Sequence, residues 1–180
     1  MKISTAVSAA KKQATVKWAK EASASDHRVS YRLSGASKWN RIWANGSTSV
    51  TISGLKAKGL YEFKVNSVYE SGDRMIYRDD SNISYGYIAT VSKVKTEGKK
   101  KSIKVSWKQD KSASGYQVRY SLKKNMKGAV TVNVVSGKKA CTIKKLKQNT
   151  RYYVQVRPLK KSGEAVYTGS WTKKRVVRTK

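Results

Sequence analysis

Few side chains in this sequence can do acid–base, nucleophilic or metal chemistry. The chain has one histidine, His27, one cysteine, Cys141, and ten carboxylates against forty lysines and arginines. A nucleophile needs an adjacent base, and general acid–base catalysis needs two poised groups. The carboxylates are scattered, and no Ser/His/Asp set, phosphate-binding glycine loop or zinc-ligand spacing occurs. The sequence therefore predicts a protein that is not an enzyme and has no metal site or cofactor.

His27 and Cys141 each have an ordinary structural interpretation. Cys141 lies two residues before Ile143 in an alternating pattern. We therefore expect an inward-pointing, inert thiol, and the alternative is a thiol activated by nearby lysines. His27 keeps the parity of Val29 and Tyr31, which places it at the end of an apolar layer. A pH-sensing role is the alternative for His27.

Aromatic and basic residues alternate in one short segment. Trp39, Arg41 and Trp43 lie on one side of a predicted strand. Flat indole rings stack on sugar rings. If they are exposed, these three residues form the best glycan-binding candidate in the first half of the chain.

The charge of the chain favours a polyanion as partner. The net charge is +30, and residues 90–180 carry 26 basic and 3 acidic side chains. The candidate polyanion-binding residues are Arg119, Tyr153, Arg157, Arg175 and Arg178 in predicted strands, and Lys138 and Lys139 in a turn. Clustered cations bind polyanions by releasing counterions, whereas evenly spread lysines mainly give solubility. Both interpretations stay open.

Tyrosines and acids gather in a predicted loop from Glu70 to Ser84. Loops at the ends of a β-sheet commonly carry binding residues. The candidates for contacting a protein partner are Tyr69, Asp73, Tyr77, Asp79 and Asp80. The ligand order of a calcium loop is absent, so a metal is not expected here.

An internal repeat divides the chain. Val16-Lys17-Trp18 matches Val105-Ser106-Trp107 at a shift of 89, and a two-residue insertion then raises the shift to 91. The repeat predicts two domains, residues 1–89 and 90–180. At the larger shift Trp39 and Trp43 lie opposite Val130 and Val134, which favours packing in the core or at a sheet edge over sugar binding.

Apolar residues alternate with polar ones throughout both copies. Val16 and Trp18 flank Lys17, for example, and Ser-Gly and Asn-Gly turn signals separate such runs. Short alternating strands at this spacing indicate an all-β sandwich or barrel. No apolar run is long enough to span a membrane as a helix.

Each copy resembles a fibronectin type III domain. A tryptophan closes the second strand, a tyrosine lies in the third, and a leucine precedes a tyrosine by six residues. These are Trp18, Tyr31, Leu55 and Tyr61 in the first copy and Trp107, Tyr120, Leu146 and Tyr152 in the second. Trp171 resembles the entry to the last strand. The resemblance implies two tandem immunoglobulin-like β-sandwiches, with Tyr61 and Tyr152 bonded to the preceding corner.

The resemblance also implies a function. The expectation is a non-catalytic spacer or adhesion pair, monomeric within a longer secreted or surface-attached protein of a Gram-positive type bacterium. Its partner would be an anionic cell-wall polymer, a glycan or a protein, and not a specific nucleic acid. The alternatives are a carbohydrate-binding accessory module of a polysaccharide-degrading enzyme and a protein-binding adhesin.

Overall fold

The computed structural model describes residues 1–78 and 81–180, and their regular secondary structure consists of β-strands. The chain divides into two compact units, Met1–Ile88 and Ala89–Lys180. This division falls one residue before the predicted boundary. Asp79 and Asp80, two of the candidate protein-binding residues, lie outside the described residues.

The described part of unit 1 forms two antiparallel sheets. Its strands are β1 (Ile3–Ser8), β2 (Gln13–Trp18), β3 (Asp26–Leu33), β4 (Asn40–Trp43), β5 (Ser49–Ile52), β6 (Leu60–Ser71), β7 (Arg74–Tyr77) and β8 (Ser84–Tyr87). The smaller sheet has the order β1-β2-β5. The larger sheet has the order β4-β3-β6-β7, and β8 also pairs with β6.

Unit 2 repeats this arrangement. Its strands are β9 (Ser92–Lys99), β10 (Ser102–Lys108), β11 (Gly115–Ser121), β12 (Val130–Val135), β13 (Ala140–Ile143), β14 (Arg151–Ser162), β15 (Ala165–Thr168) and β16 (Arg175–Arg178). The sheets are β13-β10-β9 and β12-β11-β14-β15, with β16 also paired to β14.

The alternation seen in the sequence places one face of each strand in a core between the sheets. In β10, Ile103, Val105 and Trp107 are buried, while Lys104 is exposed. Trp18 and Trp107 belong to the separate cores of the two units. Burying side chains of this size stabilises each by roughly 1.5–3 kcal/mol. The prediction of an all-β fold built from two sandwiches is confirmed.

A tyrosine fixes the same corner in both units. The Tyr61 hydroxyl accepts a hydrogen bond from the Lys56 amide at 2.8 Å. The Tyr152 hydroxyl accepts one from the Lys147 amide at 3.0 Å. The predicted corner arrangement is confirmed. It ties the start of β6, and likewise the start of β14, to the turn before the strand.

The difference in residue number between equivalent positions of the two units increases in two steps of one residue each. Val29 pairs with Ile42 across β3 and β4, and Val118 pairs with Val132 across β11 and β12. The first residues of these pairs differ by 89 positions and the second by 90. The shift reaches 91 only at the following strands, β5 and β13. The predicted two-residue insertion is therefore two separate insertions of one residue.

This slip corrects the expected position of two tryptophans. Trp43 corresponds to Asn133, not to Val134, because a one-residue change in register moves a side chain to the other face of a sheet. Ile42 packs against the core instead, and Trp43 is 39% exposed. The predicted register, which placed Trp39 and Trp43 opposite Val130 and Val134 on the apolar side, was therefore wrong, and the two tryptophans lie at the edge strand β4 or just before it.

Cys141 behaves as the sequence predicts. Its side chain is partly buried and packs against the core of unit 2, opposite Val105. Burial raises the pKa of the thiol to about 11. The thiol therefore stays protonated and unreactive at neutral pH.

Candidate functional site

The outward face of the larger sheet of unit 1 brings cations and aromatic rings together. Ser30 on β3 pairs with Arg41 on β4 and with Lys64 on β6. Arg28 pairs with Trp43 and with Asn66 in the same way. Cross-strand partners project to the same side of a sheet. Two parallel rows of polar and aromatic side chains therefore face away from the core.

A pocket of about 340 Å³ opens on this face. Four of its lining side chains are cationic, two are aromatic and two are neutral and polar: Arg28, Arg41, Lys64, Arg78, Trp39, Tyr77, Ser30 and Asn66. We call it the unit 1 pocket. Among the described residues no carboxylate lines it. The arrangement offers charged and polar donors for an anion, and cations lie over the faces of both aromatic rings in its lining.

Trp39 lies between two cations at one side of the pocket. The Arg32 guanidinium is 4.3 Å from its ring centroid, and the Lys64 ammonium is 4.7 Å from it. Arg32 also donates to Glu62 at 2.7 Å, and Ser34 donates to the other Glu62 oxygen at 2.8 Å. Glu62 thus holds Arg32 in place, and the half-buried Trp39 ring is fixed against it.

Tyr77 and Trp43 form the other aromatic group. The Arg28 guanidinium lies 3.9 Å from the Tyr77 ring centroid, and the centroids of Trp43 and Tyr77 are 6.3 Å apart. The Arg28 Nε atom is buried without a hydrogen-bond partner among the described residues. Arg28 is therefore positioned by stacking, and a cation held over an aromatic face in this way gains roughly 0.5–2 kcal/mol.

Two acids of unit 1 near the start of β3, Asp26 and Glu21, accept hydrogen bonds from residues around them. Burial works to raise the pKa of Asp26, but amide hydrogen bonds, including those from Gly46 and Asn45, hold it below its usual range. Hydrogen bonds from Ser67 and Tyr69 lower the pKa of Glu21. Both carboxylates are ionised at neutral pH and bonded away from the unit 1 pocket.

The structure separates the candidate protein-binding residues. Tyr69 donates to Glu21, and the Arg78 guanidinium lies 4.8 Å from its ring. Tyr77 lines the unit 1 pocket. Asp73 is exposed in the turn between β6 and β7. These described residues do not form one cluster.

In unit 2 a different tryptophan takes a similar place between cations. The ring centroid of Trp171 is 4.2 Å from the Arg119 guanidinium and 4.3 Å from that of Arg157. Arg119 donates from Nε and Nη2 to Gln155 Oε1, at 3.0 and 2.7 Å. Arg157 donates to Gln117 at 2.7 Å. We call this group the Trp171 stack.

Much of the hydrogen-bonding capacity of these two arginines is therefore used inside the unit. Arg157 donates from a second nitrogen to Thr168 at 3.1 Å. Burial lowers the pKa of both guanidinium groups, and for Arg157 the charge of Arg119 lowers it further. Arginine remains charged despite such shifts. The stack is a packed structural element more than an open anion site.

The other predicted polyanion-binding residues are spread around unit 2. Tyr153 pairs with Val176, so Arg178 shares its outward face through the alternation of β16. Arg175 pairs with the buried Val154 and belongs to the opposite side of the strand. Lys138 and Lys139 are exposed in the turn between β12 and β13. The structure brings Arg119 and Arg157 together, places Tyr153 and Arg178 on the same face, and leaves the remaining three apart.

Sequence reasoning found Trp39, Arg41 and Trp43 but missed three cations beside them. Arg28, Lys64 and Arg78 come from other strands or from the residue after β7. Their outward parity was readable within each strand. Their proximity depends on strand pairing, which one sequence does not give.

No group of three or more His, Cys, Asp or Glu side chains suited to a metal occurs in residues 1–78 and 81–180. No helix in this described part of the chain is long and apolar enough to cross a membrane.

Comparison with known proteins finds one family match, which lies within unit 2. Residues 90–174 match the fibronectin type III domain family. No curated protein matches the chain. Among solved structures, the chain resembles chicken CNTN1 FN1–FN3 domains, with 19% identity and a TM-score of 0.45, over 93% of this chain and 62% of that one. It also resembles a two-domain fibronectin type III segment of chicken tenascin, with 20% identity and a TM-score of 0.43, over 93% and 92% of the two chains.

The class of protein follows from the strand order of both units, and the family match supports it for residues 90–174. The chain is an all-β protein with two tandem fibronectin type III-like sandwiches. Domains of this family are usually non-catalytic spacer or binding modules and often bind proteins, and proteins that contain them are commonly extracellular.

Proposed function

We propose that this chain is a non-catalytic binding and spacer pair, with modules at residues 1–89 and 90–180, that attaches its parent protein to an anionic glycan through the unit 1 pocket. The observation that carries the proposal is the convergence of four cations and two aromatic rings in one concave site. The parent is a secreted or surface-attached protein, and the lysine-rich repeat style supports a bacterium of Gram-positive type.

The pocket chemistry favours sugar acids over a featureless polyanion. Aromatic faces stack on the apolar side of a sugar ring, while guanidinium groups pair with carboxylate or sulfate oxygens. Trp43 is 39% exposed beside Tyr77, and Arg41 pairs with Ser30 on the neighbouring strand. A uronate or sulfated unit would use the ring and the charge together. The overall charge of +30 adds long-range attraction to the same ligand.

The direct test is binding of the full chain to three polymers at physiological salt. The probes are polygalacturonate, inorganic polyphosphate and neutral dextran. We expect saturable binding to polygalacturonate that weakens with salt, because paired charges release counterions. Dextran should not bind. Equal binding to polyphosphate and polygalacturonate would reduce the site to a general polyanion surface.

Two variants and one matched control locate the site. R41A/R78A removes two cations from the pocket, and W43A removes an exposed ring that is not in the pocket lining but lies beside one of its rings, Tyr77. Each should weaken polygalacturonate binding by about tenfold or more, on the scale of one or two lost charge-assisted bonds. K11A/K12A removes the same charge from the exposed turn between β1 and β2 and should leave the affinity unchanged. Equal losses in all three variants would contradict a site in this pocket.

A second candidate function is protein binding by the hairpin of β6 and β7. Met75 and Ile76 are 54% and 51% exposed on this hairpin, and clustered exposed apolar side chains commonly mark protein contacts. Asp73 lies at its turn. M75S/I76S should abolish capture of such a protein partner while polygalacturonate binding persists. Persistence of both activities in this variant would exclude the hairpin.

A further inference from the structure

A second cleft opens at the end of unit 2 where strand β11 ends. Its volume is about 630 Å³, within the range typical of sites for small organic molecules. Apolar and aromatic side chains supply much of its lining, and four lysines surround them. We call it the unit 2 cleft. It lies in a different unit from the unit 1 pocket.

The apolar surface of the cleft runs from solvent to the core. Leu122 and Val130 are 52% and 51% exposed at its opening. Leu146 and Tyr152 are buried members of the core and line its interior side. Tyr120 packs edge-on against Tyr152, with centroids 6.2 Å apart. An apolar chain entering here would contact both the exposed and the buried residues.

Unit 1 lacks this exposure at the equivalent place. Leu33, the counterpart of Leu122 in the repeat, packs partly buried against the core of its unit. The connection after β3 covers residues 34–39, whereas the connection after β11 covers residues 122–129. The longer connection leaves Leu122 exposed, so the cleft distinguishes unit 2 from unit 1.

The longer connection is held in one shape by its own hydrogen bonds. Ser121 donates from its hydroxyl to the Lys127 carbonyl at 3.1 Å and accepts from the Lys123 amide at 3.0 Å. The Lys127 amide donates to Asn125 Oδ1 at 3.0 Å, and Met126 is buried beneath the turn. A site formed before the ligand arrives loses little entropy on binding.

The cleft is electropositive. Lys123, Lys127, Lys145 and Lys147 line it, and no acidic residue in the described part of the chain does. The three carboxylates of unit 2 lie elsewhere. Glu97 is 3.8 Å from Lys99, Asp110 accepts hydrogen bonds from Ser112, and Glu164 follows the β14 strand.

We propose that the unit 2 cleft binds an anionic amphiphile, an aliphatic chain that ends in a carboxylate. The chain would lie between Leu122, Val130 and Tyr152, where it removes exposed apolar surface from water. The carboxylate would meet Lys145 and Lys147 at the rim. Charge complementarity selects an anionic head group over a cationic or neutral one.

The test is a titration of the isotope-labelled full chain, followed by NMR, with three probes below their micelle concentrations. Dodecanoate supplies the chain and the carboxylate, dodecyltrimethylammonium supplies the same chain with a positive head, and acetate supplies the carboxylate alone. Dodecanoate should give saturable shifts confined to the cleft residues, and the other two should not. Equal shifts with the ammonium compound, or no saturable shifts with dodecanoate, would overturn the proposal.

Charge-reversal variants then separate the cleft from general surface charge. K145E/K147E should weaken dodecanoate binding at least tenfold, whereas K138E/K139E, with the same charge change in the exposed turn after β12, should not. Unchanged affinity in K145E/K147E also contradicts the proposal. If that variant loses its dispersed spectrum, L122N decides instead, because Leu122 is exposed and its replacement leaves the core intact. R41A/R78A should bind dodecanoate normally, which keeps this result independent of the glycan site.

Discussion

His27 in unit 1 and Tyr116 in unit 2 occupy the same place against the tryptophan of their cores. The His27 ring lies 5.4 Å from Trp18, and the Tyr116 ring lies 5.1 Å from Trp107. The Tyr116 hydroxyl accepts a hydrogen bond from the Asp110 amide at 2.7 Å. His27 Nε2 is buried without a partner among the described residues. The two units therefore use one packing position with different hydrogen bonding.

Unit 1 is expected to lose stability in mild acid. Burial lowers the pKa of His27, although the charges of Asp26 and Glu21 work against this. The unfolded chain therefore takes up a proton at a higher pH, near 6.5, than the folded chain does. The contribution of neutral His27 to the free energy of unfolding is therefore complete above that pH. It is lost as the pH falls toward the pKa of His27 in the folded chain. Urea unfolding at pH 7.5 and 5 should show this loss, and H27Y should reduce it. An equal pH dependence in H27Y would exclude His27 as its source.

Removing a core tryptophan should destabilise one unit at a time. W18A and W107A should each cost about 3–5 kcal/mol, because they leave a cavity in a packed core. W43A should cost far less, since Trp43 is largely on the surface. Thermal unfolding of the full chain should then show one early transition in each core variant. Similar losses in all three variants would contradict the assignment of Trp43 to the outward face.

The corner tyrosine should be worth a measurable hydrogen bond. Y152F leaves the Lys147 amide without its partner and should lower the free energy of unfolding by about 1–2 kcal/mol. Y153F, at the neighbouring outward-facing position, provides the control and should change stability little. Denaturant unfolding of the two variants measures the difference, and equal effects would argue against the corner bond.

The Trp171 stack should stabilise unit 2. W171A removes the ring that contacts both Arg119 and Arg157, two like charges. Loss of two cation–aromatic contacts should cost roughly 1–3 kcal/mol. In a double-mutant cycle of W171A with R119Q, followed by chemical unfolding, the double variant should lose less stability than the sum of the two single changes, because each single change already removes the same contact. Strict additivity would show that ring and guanidinium do not interact.

The alternating strands and the core were readable from the residues because burial repeats every second position. Ile103, Val105 and Trp107 illustrate this, and so does the corner bond of Tyr152. Strand β4 shows where that reasoning fails. It has four residues, and its face depends on where a single inserted residue lies in a connection that carries no repeat signal. Ile42 and Trp43 consequently exchanged faces between prediction and structure.

The sites were harder to predict than the fold, since each draws on several strands. Arg41 and Trp43 are two positions apart on the same side of one strand and could be recognised together. Arg28 reaches the same pocket from β3, and Arg78 comes from beyond β7. The Trp171 stack likewise joins a residue of the last connection to arginines of β11 and β14. Such groupings require pairing information that alternation alone does not contain.

The long strand β14 is paired along one side by two short segments, β15 and β16, of four residues each. An edge broken in this way offers a second molecule no continuous row of free amides and carbonyls for sheet-to-sheet growth. This edge of unit 2 therefore resists fusion into aggregates when molecules are crowded on a surface.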